Sequence, residues 1–184
     1  MSSQMIRIWQ EIFLLYKIGG MQMNIYKYAM KMEKDSENYY SELANKTDDA
    51  GLQNILKMLA SDEVKHYNII EKMMKTDTSA EFAETGILRN AKDIFIKIKG
   101  KNIVFNFDLP QADFYRKAQE FEEKSYKFYL EMSDKVEIKA QKKIFLKLAE
   151  EEKKHMFLLE NLVEFVSRPE TWIEDAEFNH LDDY

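Results

Sequence analysis

Two Glu-x-x-His motifs, Glu63-Val64-Lys65-His66 and Glu152-Lys153-Lys154-His155, are the residues best suited to chemistry in this chain. On a helix, positions i and i+3 lie about 60° apart around the axis and one turn along it, so a carboxylate and an imidazole can reach one point. A single motif of this kind on a charged helix is ordinarily a solvated face. Here, two of the three histidines in the chain fall in the pair, and each motif follows a glutamate placed 30 residues earlier, Glu33 and Glu122. Four helices would then supply four carboxylates and two imidazoles: two give one Glu each, and two give Glu-x-x-His. That is the pattern of a di-metal carboxylate centre in a helical bundle. Four buried carboxylates without cations would be very costly, and two divalent ions cancel their charge. Oxygen-rich ligation with one imidazole per ion suits Fe(II) or Mn(II), while zinc fits by raw affinity.

The elements that must position these groups come in duplicate. Sliding the chain by 89 residues aligns 29–75 with 118–164 without a gap, and 13 of those 47 positions are identical. Ala29/Ala118, Glu33/Glu122, Tyr40/Tyr129, Ala60/Ala149, Glu63/Glu152 and His66/His155 are among them. Apolar positions recur at helical spacing over about 24–46, from Gly51 to about Lys75, over 111–133 and over 138–166. With only two Pro and five Gly in 184 residues, a turn-rich sheet protein is disfavoured. The expectation is an all-α, ferritin-like four-helix bundle over 21–168, built from a duplicated helix pair. A long crossover over 76–112 would join helices 2 and 3. That crossover carries a short amphipathic helix through Ile87, Leu88, Ala91, Ile94, Phe95 and Ile98, then an extended Val104–Phe107.

Residues 1–20 carry an apolar stripe, Met5, Ile6, Trp9, Ile12, Phe13 and Tyr16, that stops at Gly19-Gly20. One reading is an extra helix on the body or on a second subunit, and a weaker one is a membrane-surface helix. A third makes the segment a start-site artefact, with Met21 or Met23 as the true start. Residues 169–184 form an acidic tail in which Trp172 and Phe178 are expected to anchor on the bundle. His180 is read as a surface residue, against the alternative of a tail folding back to a metal.

The net charge is −6, without a basic stripe, which argues against a nucleic-acid partner. Zero cysteines exclude a disulfide scaffold, a thiolate zinc site and an Fe–S cluster within these residues, and fit a cytoplasmic location. No stretch has the ~18 uncharged apolar residues of a membrane span. The Met-rich and aromatic faces suggest a homodimer, and the methionines themselves are read as core filling.

Ala29-Met-Lys-Met-Glu33 with Tyr40, Leu59-Ala-Ser-Asp-Glu63-Val-Lys-His66, Ala118-Gln-Glu-Phe-Glu122 with Tyr129, and Leu148-Ala-Glu-Glu-Glu152-Lys-Lys-His155 resemble the di-iron domain of rubrerythrins. They are closest to the stand-alone members that lack a rubredoxin domain. The resemblance implies two iron ions per chain, bridged by Glu63 and Glu152, with Glu33 and His66, and Glu122 and His155, as terminal ligands. It implies reduction of hydrogen peroxide at a diferrous centre, with electrons from an external donor such as rubredoxin. Tyr40 and Tyr129 lie seven residues, or about 10 Å, beyond Glu33 and Glu122. They are expected to hydrogen-bond a ligand carboxylate from behind, against the alternative of ordinary core tyrosines. Rubrerythrins carry an extra glutamate on the third helix where this chain has Ser125; Glu37 could replace it but is expected on solvent. Two other functions share the same ligands: Fe(II) oxidation by dioxygen or peroxide in iron handling, and a helical interaction protein with a structural di-metal site.

Overall fold

The computed structural model describes residues 21–75, 86–99 and 109–167, and among them every regular element is helical. The helices are α1 (Met21–Lys46), α2 (Ala50–Met74), α3 (Ile87–Lys99), α4 (Leu109–Lys135) and α5 (Lys139–Ser167). The long helices pack in pairs, α1 with α2 and α4 with α5, as the internal repeat requires. The apolar stripe of residues 1–20, Val104–Phe107 and the tail with Trp172, Phe178 and His180 lie outside the described residues. Among the described residues, no helix is long and apolar enough to cross a membrane.

Local chemistry sets the ends of the first pair. The Asp49 side chain accepts a hydrogen bond from Leu52 N at 2.8 Å, capping one of the four N–H groups that open α2. Thr47 Oγ1 donates to Leu43 O at 2.8 Å and Gln53 Nε2 donates to Ala44 O at 3.2 Å, which occupies carbonyls left open at the end of α1. α4 begins two residues before the expected Gln111 and so shortens the crossover. Pro110 falls in the first turn, where its missing N–H costs nothing and its fixed φ suits the helix.

The core divides into two apolar clusters. One gathers Tyr40, Leu43, Leu52, Leu56 and Leu59 with Ala112, Tyr115, Leu158, Leu162 and Phe165, and α3 closes over it through Ile87, Leu88, Ala91 and Phe95. Phe95 meets Phe165 edge-on, with ring centroids 5.7 Å apart. The other holds Tyr26, Ala29, Met30, Ile70 and Met73 against Phe128, Met132, Ile144, Phe145 and Leu148. Met30, Met73 and Met132 are buried in that second cluster, as core filling. Between the clusters lies a layer of buried carboxylates and imidazoles.

Candidate metal centre

Each member of the polar layer points inward because its helix buries that face. Glu33 stands between Ala29 and Ser36 on α1, and Glu122 between Ala118 and Ser125 on α4, so small neighbours let the helices approach around each carboxylate. Glu63 and His66 lie one turn apart on α2, as do Glu152 and His155 on α5. All six side chains are within 1% of complete burial. The structure thus brings together all six of the residues singled out from the sequence.

The geometry resolves into two overlapping sets of four donors. Glu33, Glu63, His66 and Glu152 form one set, and Glu63, Glu122, Glu152 and His155 the other; in each, one atom per residue lies within 4.8 Å of the rest. Glu63 and Glu152 belong to both. His66 Nδ1 lies 3.3 Å from Glu33 Oε2, 3.6 Å from Glu63 Oε2 and 3.1 Å from Glu152 Oε1. His155 Nδ1 lies 3.1 Å from Glu63 Oε1, 3.5 Å from Glu122 Oε2 and 3.5 Å from Glu152 Oε2. The two imidazoles face each other nearly parallel, centroids 5.5 Å apart.

This donor set fits a pair of divalent ions. Glu33 Oε2, Glu63 Oε1, Glu122 Oε2 and both oxygens of Glu152 are buried and make no hydrogen bond, an arrangement that costs several kcal/mol unless a cation satisfies it. Oxygen and imidazole donors bond such ions at about 2.0–2.2 Å, so a small contraction of each set would close a coordination shell.

Without metal, the buried carboxylates and imidazoles shift one another's titration. Burial, then the charges of Glu152 and Glu63, hold the Glu33 carboxyl well above the usual carboxylate range. Burial, then Glu63 and Glu152, does the same to Glu122. Burial also works to raise Glu63 and Glu152, but the Glu33, Glu122, His66 and His155 groups that face them outweigh it and hold both low. For His66, burial opposes the charged ring, yet the Glu152 charge and its carboxylate partners raise the ring well above its ordinary value. For His155 the Asp62 carboxylate leads the groups that overcome burial.

Tyr40 and Tyr129 do touch the carboxylates, though across the bundle. The Tyr40 hydroxyl donates to Glu122 Oε1 and the Tyr129 hydroxyl donates to Glu33 Oε1. Each tyrosine therefore serves the glutamate of the other repeat, since its own lies about 10 Å along the same helix. Burial, then the Glu122 charge, pushes the Tyr40 phenol well up, so it stays a donor. Glu37 turns to Lys34 and stands outside both donor sets.

Two further carboxylates escaped the reading of the sequence. Asp62 and Glu151 are 3% and 2% exposed and lie immediately before the two shared glutamates. Asp62 Oδ2 faces His155 Nε2 at 3.7 Å, and its other oxygen accepts from Lys65 Nζ at 2.6 Å. Glu151 accepts from Lys154 Nζ at 2.8 Å. An acidic residue at equivalent positions of both repeats was the available signal.

A family model described as Rubrerythrin matches residues 10–93 and 113–181 of the chain. Neither the curated proteins nor the solved structures gave a significant match.

Proposed function

The chain belongs to the rubrerythrin family, a di-iron family, and from that premise we propose that it reduces hydrogen peroxide to water at a pair of iron ions. Glu63 and Glu152 would bridge the pair, Glu33 and His66 would complete one position, and Glu122 and His155 the other. The observation that carries this reading is the sharing of Glu63 and Glu152 by two otherwise separate four-donor sets. When bound, two ferrous ions supply the two electrons that split the O–O bond. The balance is hydrogen peroxide, two electrons and two protons to two waters.

The residues of the chain do the rest. Six near-fully buried donors keep bulk water from the reacting space, which strengthens every charge interaction within it. Glu33 and Glu122 would each serve one metal position as deprotonated ligands. Tyr40 and Tyr129 hold those two carboxylates in place through their hydroxyls. With no cysteine in these 184 residues, the replacing electrons come from an external one-electron donor such as a rubredoxin, and the setting is the reducing cytoplasm.

The test is metal content per chain in protein purified without oxygen, read with the optical change on adding peroxide. About two irons, and an oxo-bridged diferric absorption that appears in proportion to peroxide, are expected. Two zinc ions with no spectral response would overturn the redox reading in favour of a structural site. Iron that oxidises once, with no further turnover when a reduced rubredoxin is supplied, would favour iron handling.

A further inference from the structure

The two sides of the metal centre are built differently. The shared carboxylates come from α2 and α5; the opposite side faces α1 and α4. The crossed tyrosine bonds run α1 and α4 antiparallel, placing residue 40 level with 122 and residue 33 level with 129. Ser36 and Ser125 occupy equivalent positions of the repeat and fall halfway between these two levels. Both are buried, at 5% and 4% exposure, and each lies one turn from a terminal glutamate on the same helix face. The two serines thus stand at the height midway between the two metal positions, on the side that the bridging carboxylates leave open.

A cleft of about 370 Å³ lies over them, between α1 and α4. Tyr28, Met32, Tyr39 and Phe121 wall it, and Ser36 and Ser125 line its buried end. Tyr39 is fixed in place, its hydroxyl donating to Phe114 O at 2.9 Å and its ring edge-on to Phe121 at 5.2 Å. A water molecule takes about 30 Å³ of liquid volume, so hydrogen peroxide needs only a small part of this space. The cleft instead falls at the lower end of the range for small organic ligands, about 300–1,000 Å³. Two acids and one base stand at its rim, Asp35, Glu42 and Lys124, and both acids already have lysine partners, Asp35 with Lys31 and Glu42 with Lys46. Such a rim does not select a charged ligand.

We propose that the α1–α4 cleft admits uncharged organic hydroperoxides, with an aryl or branched alkyl body against Tyr39 and Phe121 and the O–O group between Ser36 and Ser125. The inference rests on the peroxide-reducing reading above and names a wider substrate class for the same centre. In the reaction the O–O bond breaks and two protons are taken up. One oxygen stays on carbon as the alcohol and the other leaves as water. The two electrons come from the same external one-electron donor. Ser36 and Ser125 set the size limit because they form the buried end of the cleft, one turn from Glu33 and Glu122, and a larger side chain at either position would fill that end.

The experiment compares cumene hydroperoxide with hydrogen peroxide on the iron-loaded protein, in wild type, Ser125→Leu and Asn38→Trp. Asn38 is exposed on the cleft lining, so its variant narrows the mouth without disturbing the core should Ser125→Leu fail to fold. The same proteins, stripped of metal, are titrated with cumyl alcohol by ligand-observed NMR. The expected result is turnover of both hydroperoxides by wild type, and a ratio of their kcat/KM values that falls about tenfold or more in the variants. Cumyl alcohol should bind the metal-free wild type and bind the variants about tenfold more weakly. The proposal is overturned if wild type turns over hydrogen peroxide but not cumene hydroperoxide, or if both the ratio and the alcohol affinity are the same in all three proteins. Failure of wild type with both hydroperoxides would instead strike the peroxide-reducing reading, and the wider substrate class with it.

Discussion

Replacing Tyr40 by Phe should weaken metal binding at the position that lies on the other repeat. The hydroxyl removed donates to Glu122 Oε1 in a pocket where Tyr40 is 1% exposed, so no water takes its place. A hydrogen bond to a charged group contributes about 1.5–3 kcal/mol, and the loss of a partner that orients a metal ligand lowers affinity about 10–100-fold. Tenfold corresponds to about 1.4 kcal/mol, so the two scales agree. The assay is calorimetric titration of metal-free protein with Co(II) in two backgrounds that each leave one position intact. In His66→Ala the surviving position takes Glu122 and His155, and there Tyr40→Phe should show the full 10–100-fold loss. In His155→Ala the surviving position takes Glu33 and His66, and Tyr40→Phe should change affinity by less than about threefold. Tyr129→Phe should give the mirror image. An equal loss in both backgrounds, or a loss confined to His155→Ala, would refute the crossed assignment.

Metal-free protein should lose stability as pH rises above the unfolded values of its raised groups, about 4.3 for the glutamates and about 6.5 for the histidines. The folded state raises Glu33, Glu122, His66 and His155; the stability from their bound protons is complete below the unfolded values and lost as pH rises through the folded ones. Metal-loaded protein should lack this decline, and a Tm series by circular dichroism on both forms decides it, a flat metal-free series counting against these raised values. Asp62→Asn removes the charge facing His155 Nε2 and should weaken the Glu122–His155 position about 10–100-fold. Titration in the His66→Ala background measures that, and an unchanged affinity would show that Asp62 does not orient the ring. Asp49→Ala removes the α2 cap and should cost about 1 kcal/mol in urea unfolding, with metal content unchanged.

The bundle and the six donors were legible because duplication wrote the same spacing twice. One Glu-x-x-His says little, but a second at equivalent register, with Glu33 and Glu122 equally placed before them, leaves few alternatives. The short helix at 87–99 showed in its apolar spacing. Other features were hidden because they arise between helices. Periodicity places Tyr40 on the face of Glu33, but only the antiparallel docking of α1 and α4 sends its hydroxyl to Glu122. Asp62 and Lys65, and Glu151 and Lys154, resemble the many exposed pairs at i and i+3 on these charged helices, and burial alone separates them. Pro110 suggested a boundary just before Gln111, although proline in a first turn is no obstacle to a helix starting earlier.

The overlap of the two donor sets has a consequence for how such a centre can arise. Neither half of the chain contains a complete metal position: Glu33, Glu63 and His66 need Glu152, just as Glu122, Glu152 and His155 need Glu63. A chain of half this length could build the centre only as a symmetric dimer, with both positions forced to be alike. Carrying both copies on one chain lifts that constraint, and the copies have drifted apart around a fixed set of ligands. Asp62 stands opposite Glu151, and Met32 opposite Phe121. The two metal positions that these donor sets outline are therefore free to differ in affinity and potential, as those of a self-paired half-length chain would not be.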